Sequence, residues 1–288
     1  MKILLINTWI HDKNLNALLN YKNIELIIIN NINEINNIDL NSINCIFSPS
    51  IPLNISIFDK YNIKFIFGPH FSVFPNDKQI NFILSNNTIY VQPSEWPIQI
   101  WKSFPICNKL NLKILPFGVN SDKFKEYKNI KDRYDVFIYY KVRNPNDLDY
   151  IKNFLNNKNI KFTIFEYSKY KEEYYLSYLK NCKYGIWLGS QESQGFALQE
   201  ALSCNIPLLV WNVKSINQEY RSNYPDYKAT SIPYWDNRCG EYFYNKDDLE
   251  ETYNLFISKL NNYKPREYIL ENLTYNICEK KLIDLINT

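Results

Sequence analysis

Apolar residues in this chain fall into short unbroken runs rather than alternating with polar ones. Lys2-Ile3-Leu4-Leu5-Ile6-Asn7, Glu25–Ile29, Asn44–Phe47, Ile63–Phe67, Thr88–Val91 and Leu112–Leu115 come first. Tyr134–Tyr140, Lys161–Phe165, Tyr184–Leu188, Ile206–Trp211 and Glu241–Phe243 follow. Runs of this length and continuity predict strands covered on both faces, the signature of a parallel α/β sheet. Between them, residues 76–84, 94–104, 148–155 and 172–181 read as helices, as do 247–260 and 266–286 nearer the end. The fold class expected is α/β.

One connection is more specific than the rest. Gly189-Ser190-Gln191-Glu192-Ser193-Gln194-Gly195-Phe196-Ala197-Leu198-Gln199-Glu200-Ala201-Leu202 joins the strand at 184–188 to a helix starting near Gly195, and Pro207 leads the next strand. That is one βαβ unit. A helix N-terminus carries unpaired amides and the positive end of a dipole, so it suits a diphosphate. Glu200 lies five residues into the helix, about 7.5 Å along the axis at ~1.5 Å per residue. A carboxylate there accepts neutral ribose hydroxyls better than it tolerates phosphate. Glu192, before the helix, faces the other end of such a ligand, where a sugar offers hydroxyls.

Composition narrows the classes. With 288 residues the chain has room for two domains of ordinary size. A net charge of +3 gives no argument for nucleic acid as partner. The opening apolar run is too short for a signal peptide or a membrane span, which points to a cytoplasmic protein and to unused Asn-x-Ser/Thr sites at Asn54, Asn86 and Asn272. Cys45, Cys107, Cys182, Cys204, Cys239 and Cys278 form no Cys-x-x-Cys pair, so reduced, mostly buried thiols are expected. His11 and His70 are the only histidines, and no zinc set is visible. No Gly-x-Gly-x-x-Gly occurs, which argues against a nicotinamide enzyme.

The Glu192-x7-Glu200 stretch with its Ser193-Gln194-Gly195 turn, Glu200-Ala201 and Pro207 resembles the donor motif of retaining glycosyltransferases with two Rossmann-like domains, the GT-B fold, in the large family 4 group and its family 1-like relatives. The resemblance is strongest over 134–211. It is weaker over Ser94-Glu95-Trp96 and the linker Pro116-Phe117-Gly118-Val119-Asn120, where Phe117 stands for the usual Asn and Asn120 for the usual Asp. It implies two domains facing each other across a cleft. Residues 1–120 would form the acceptor side, 121–265 the donor side, and 266–288 a helix crossing back to the first domain.

The resemblance also implies roles. Lys141 and Arg143 would clamp the donor diphosphate, since a guanidinium suits phosphate oxygens. Glu192, Ser193, Gln194, Gly195, Phe196, Leu198 and Glu200 would bind the rest of the donor, and Tyr167 would stack on its base. His70, in Gly68-Pro69-His70-Phe71, would touch a sugar hydroxyl, and with Glu192 and Arg143 would make up the catalytic set. The activity implied is transfer from a UDP- or GDP-sugar to a glycan, lipid or protein hydroxyl, retaining, without metal or other cofactor. Two alternatives remain: a sugar-nucleotide-binding protein without turnover, and a metal-dependent GT-A enzyme using Asp147-Leu148-Asp149. For the latter, acidic residues in a helix's first turn are expected from the dipole alone.

Overall fold

A computed structural model describes every residue except Asp59 and Asn62, and every side chain of these except Asp77, Gln79 and Phe82. The chain divides into two compact units, Met1–Gly118 with Tyr275–Thr288, and Val119–Thr274.

The first unit is built on β1 (Lys2–Ile6), α1 (Asp12–Leu19), β2 (Glu25–Ile29), β3 (Cys45–Ser48), β4 (Lys64–Phe67), α2 (Asp77–Ile83), β5 (Thr88–Gln92), α3 (Glu95–Lys102) and β6 (Leu112–Ile114). Its six strands are parallel, in the order β2-β1-β3-β4-β5-β6. The unbroken apolar runs are explained by burial: every residue of β3 and β5 is inside. Helix α1 has no strong apolar run to announce it; His11 caps it by accepting from Lys13 N.

The second unit contains β7 (Asp135–Lys141), α4 (Pro145–Asn157), β8 (Thr163–Glu166), α5 (Glu172–Leu179), β9 (Cys182–Gly189), α6 (Phe196–Ser203), β10 (Leu208–Trp211), β11 (Gly240–Phe243), α7 (Leu249–Ser258) and α8 (Pro265–Asn272). Its parallel sheet runs β11-β10-β9-β7-β8. The C-terminal helical stretch expected from 266 is two helices, broken at Leu273 and Thr274. Helix α8 stays with the second unit, and only α9 (Tyr275–Asn287) belongs to the first. There Tyr275 accepts from Asn16, and Glu279 accepts from Asn23.

At the boundary Val119 N donates to Leu273 O (2.8 Å). The two departures from the linker pattern have separate outcomes. Phe117 is buried and stacks near Phe47, whereas Asn120 keeps an Asp-like role by accepting from Lys123 N. All six cysteines are buried free thiols. No helix among the described residues is long and apolar enough to cross a membrane.

Candidate functional site

In the second sheet the strand order reverses between β7 and β9, and open α/β sheets bind ligands at the carboxyl side of such a point. The register sets Lys141 beside Gly189, so the loops after β7 and β9 leave the sheet side by side. Lys141 O accepts from Ser190 N at 2.8 Å. These two loops hold most of the residues singled out above.

The β7 loop turns abruptly. Val142 has φ +47°, a conformation costly for a β-branched residue. Three consecutive carbonyls hold it there: that of Lys141 as just described, Val142 O accepting from Tyr220 N (2.9 Å), and Arg143 O from the Tyr140 hydroxyl (2.6 Å). Asn144 then caps α4 by accepting from Asn146 N, with Pro145 at the first helical position. The turn sends its two basic side chains to different surroundings.

Arg143 is 4% exposed. Its Nη1 donates to Gly189 O (3.2 Å) and Trp211 O (3.1 Å), while Nε and Nη2 donate to Asp147 Oδ2 at 3.3 and 3.1 Å. Burial pulls the guanidinium below its ordinary value, and Asp147 opposes that pull. Expected at the donor diphosphate, Arg143 instead ties the carboxyl ends of β9 and β10 to the start of α4. The physical reason is that two strand-end carbonyls and a helix carboxylate claim its planar fork first. Asp147 is thereby paired, and Asp149 pairs with Lys152 (2.8 Å). Among the described residues no group of three or more His, Cys, Asp or Glu side chains is arranged for a metal ion.

Lys141 stays at the loop. Its Nζ lies 2.7 Å from Glu192 Oε2 and 4.7 Å from the Tyr167 ring centroid. Lys141, Glu192 and the half-exposed Tyr167 therefore converge, as three of the expected donor residues. Under them Tyr139 and Trp187 stack at 3.8 Å with planes 5° apart. Burial, then the Glu192 charge, raises the Tyr139 hydroxyl.

The β9 loop is braced by a segment with no motif. Glu192 N donates to Thr230 O, Ser231 Oγ to Gly189 O, and Asn212 Oδ1 collects Val213 N, Thr230 Oγ1 and Ser231 N. Sequence reasoning missed Asn212, Thr230 and Ser231, because nothing local marks them. Gly195 then starts α6 at φ +77°, with no side-chain cap. A Cβ there would meet only ordinary contacts, the nearest at 3.7 Å, so the backbone angle requires glycine rather than lack of space. Gln194 and Gln199 clasp each other, with Gln199 also donating to Gln194 O, and both are buried.

The remaining expected donor residues divide by exposure. Ser193 is exposed and Phe196 half-buried, but Leu198 is core. Glu200 is 4% exposed, beside Tyr175, whose hydroxyl donates to Ala197 O. Ser190 Oγ and Gln191 Oε1 are buried without a hydrogen-bond partner among the described residues.

His70 lies in the first unit, after β4. Its Nε2 is 3.0 Å from Asn14 Nδ2 and 3.5 Å from His11 N. The His11 N–H makes Nε2 an acceptor, so the neutral ring carries its proton on Nδ1. Burial, with His11 adding to it, lowers His70 to about 4.

No protein-family model and no curated protein matches this chain. Solved structures do. The chain is similar to the lipopolysaccharide outer core galactosyltransferase WaaB in its apo form, with TM-score 0.59, 12% identity and 99% of both chains covered. It is similar to WaaG, a glycosyltransferase involved in lipopolysaccharide biosynthesis, with TM-score 0.50, 10% identity and 99% of both chains covered. Sucrose-phosphate synthase from Thermosynechococcus elongatus gives TM-score 0.53 at 9% identity, covering 85% of this chain and 73% of that one. At these identities the likeness defines the fold, which is that of GT-B glycosyltransferases with two parallel-sheet units.

Proposed function

We propose that the chain transfers a sugar from a nucleoside-diphospho-sugar to an acceptor hydroxyl, with retention and without metal. The observation that carries this reading is the convergence of Lys141, Glu192, Tyr167 and the Gly195-led start of α6 at the strand-order reversal of the second sheet. In it, the α6 N-terminus and Lys141 stabilise the charge that develops on the departing diphosphate. Glu200 accepts the ribose hydroxyls, Tyr167 packs on the base, and Glu192 accepts hydroxyls of the transferred sugar. The anomeric carbon–oxygen bond to the diphosphate breaks as the acceptor oxygen bonds to the same face, and a diphosphate oxygen takes the acceptor proton. Titration calorimetry with UDP, GDP and their hexose conjugates tests this. Binding of a diphosphate and its sugar conjugate, weakened together in Glu200→Ala, is the expected result.

One observation favours a second reading. With Arg143 committed to the framework, Lys141 is the one basic residue of the expected pair left at the loop, which suits a sugar-nucleotide-binding protein without turnover. Release of free sugar or glycoside from UDP- or GDP-sugars by the purified protein separates the two. The GT-A alternative has less support, since Asp147 and Asp149 are each paired with a cation of their own segment.

A further inference from the structure

Strand β8 (Thr163–Glu166) is an end strand of the second sheet, paired only with β7. Just past it, Tyr167 N donates to Tyr140 O at 2.9 Å, and in a parallel ladder alternate residues of a strand bond the same neighbour. Thr163 and Phe165 therefore bond β7, while Ile164 turns its N–H and C=O away from the sheet. Glu166 faces the same way, and its carbonyl accepts from Lys169 N at 3.0 Å. That leaves the Ile164 N–H and C=O and the Glu166 N–H along an open edge.

Two hollows follow each other beside it. One of about 650 Å³ includes Ile160, Lys161 and Phe162 in its wall. The next, of about 570 Å³, takes in Leu148, Ile164, Phe165 and Tyr174. Neighbouring side chains of a strand point to opposite faces, so a hollow that reaches both Ile164 and Phe165 lies against the edge itself. Ile164 is 38% exposed and Tyr174 55%. The other edge of this sheet is guarded, since β11 carries Glu241, which accepts from Lys259 and Tyr263. In β8 no charged side chain precedes Glu166.

Backbone chemistry selects the class of occupant. An apolar small molecule or a lipid chain would cover the outward N–H and C=O groups without bonding them, which is costly. An extended peptide bonds them by adding a strand. Charge then selects among peptides. The two hollows are lined by three lysines, Lys161, Lys169 and Lys171, against one carboxylate, Glu166, which Lys169 already holds at 2.6 Å. A second copy of this chain, paired antiparallel about Ile164, would bring Lys161 against the other copy's 167–171 segment with its two lysines, so like charges would meet.

We propose that the outer edge of β8 is a docking site for an extended segment of another protein, apolar along its length and acidic at its ends. The segment pairs with Ile164 and Glu166 and lays its side chains in the two hollows. This site uses the outward backbone of β8 and holds whether or not the loops at Lys141 and Gly195 bind a donor.

Fluorescence anisotropy on the full chain tests it, with a rhodamine-labelled peptide of alternating valine and threonine flanked by glutamates as the probe. The same peptide N-methylated at every valine and threonine removes the backbone donors, and a lysine-flanked version reverses the charge. The glutamate-flanked peptide should bind at least tenfold more tightly than either control. Ile164→Pro deletes the outward N–H at an edge position where proline is tolerated, and should lower its affinity at least tenfold. Lys161→Glu combined with Lys171→Glu changes only exposed side chains, should melt within a few degrees of the parent, and should shift the preference to the lysine-flanked peptide. The proposal is overturned if the glutamate-flanked peptide does not bind, if the N-methylated one binds as well, or if the charge-reversed protein keeps the parent's preference. It is also overturned if sedimentation shows a dimer that Ile164→Pro abolishes, which would give the edge to a second copy.

Discussion

The two sheets share one wiring and differ in what they put on it. Each begins with a strand flanked by its second and third, so each has its strand-order reversal at the same topological place. At that place the second unit gathers charge: Lys141 against Glu192, a buried Arg143 behind them, and a helix N-terminus led by Gly195. The first unit gathers neutral hydrogen-bonding groups and the exposed indole of Trp9. The fold therefore supplies an open edge, and the loops choose its chemistry. A charged edge suits a nucleotide diphosphate, and a neutral edge suits sugar hydroxyls.

The largest effect that would sharpen this contrast is expected at Arg143. Removing it as Arg143→Ala takes a donor from the Gly189 and Trp211 carbonyls and leaves Asp147 without its partner. A stability loss of about 3–5 kcal/mol is expected in urea melts, and Arg143→Lys should recover little of it, because one ammonium cannot replace a fork. A nearly unchanged melt with a collapse in nucleotide affinity would return Arg143 to the diphosphate and break the distinction between it and Lys141.

Next in size are the carboxylates. Glu200→Ala should cost about 1–3 kcal/mol of nucleotide affinity by calorimetry, the loss of a buried acceptor. Glu192→Ala should leave free-nucleotide affinity nearly unchanged while impairing sugar turnover. Equal behaviour of the two variants would erase the division of the donor between them.

Gly195→Ala follows. The added methyl has room, so the expected loss of about 1–2 kcal/mol comes from the left-handed backbone alone. A thermal melt matching the parent would show that the turn before α6 can reset its angle.

At neutral pH the smallest effect is expected in the first unit, where the change is confined to acid. His70 titrates near 4 in the fold against 6.5 in an unfolded chain, so the unfolded state takes up the proton first. Its contribution to stability is complete above about 6.5, shrinks as pH falls towards 4, and changes no further below that. His70→Gln should flatten the acid limb of the stability curve over that window. An unaltered limb would mean that His70 is solvated, and the neutral character of this edge would fail with it.

Sequence and fold agree where the information is local. Runs such as Lys2–Ile6 and Leu208–Trp211 are legible as buried strands because covering both faces of a parallel sheet requires unbroken apolarity. The turn at Gly195 and the helix after it are legible because a glycine before an apolar run sets a helix start. Less was visible at the C-terminus, where the break at Leu273 and Thr274 lies within an otherwise helical pattern. Helix α1 was missed for a related reason, since its face towards the sheet is small and partly polar, with Asn14 inside.

By itself, then, the sequence determined two parallel α/β sheets and the Glu192–Glu200 connection that leads from a strand into a helix. Tertiary structure alone decided that Arg143 turns inward while Lys141, two residues away, stays with Glu192, and that burial, with His11 adding to it, lowers His70. Strand composition and helix starts are written in neighbouring residues, whereas the partner of a guanidinium or an imidazole depends on which carbonyls and amides distant segments bring within 3 Å or so of it.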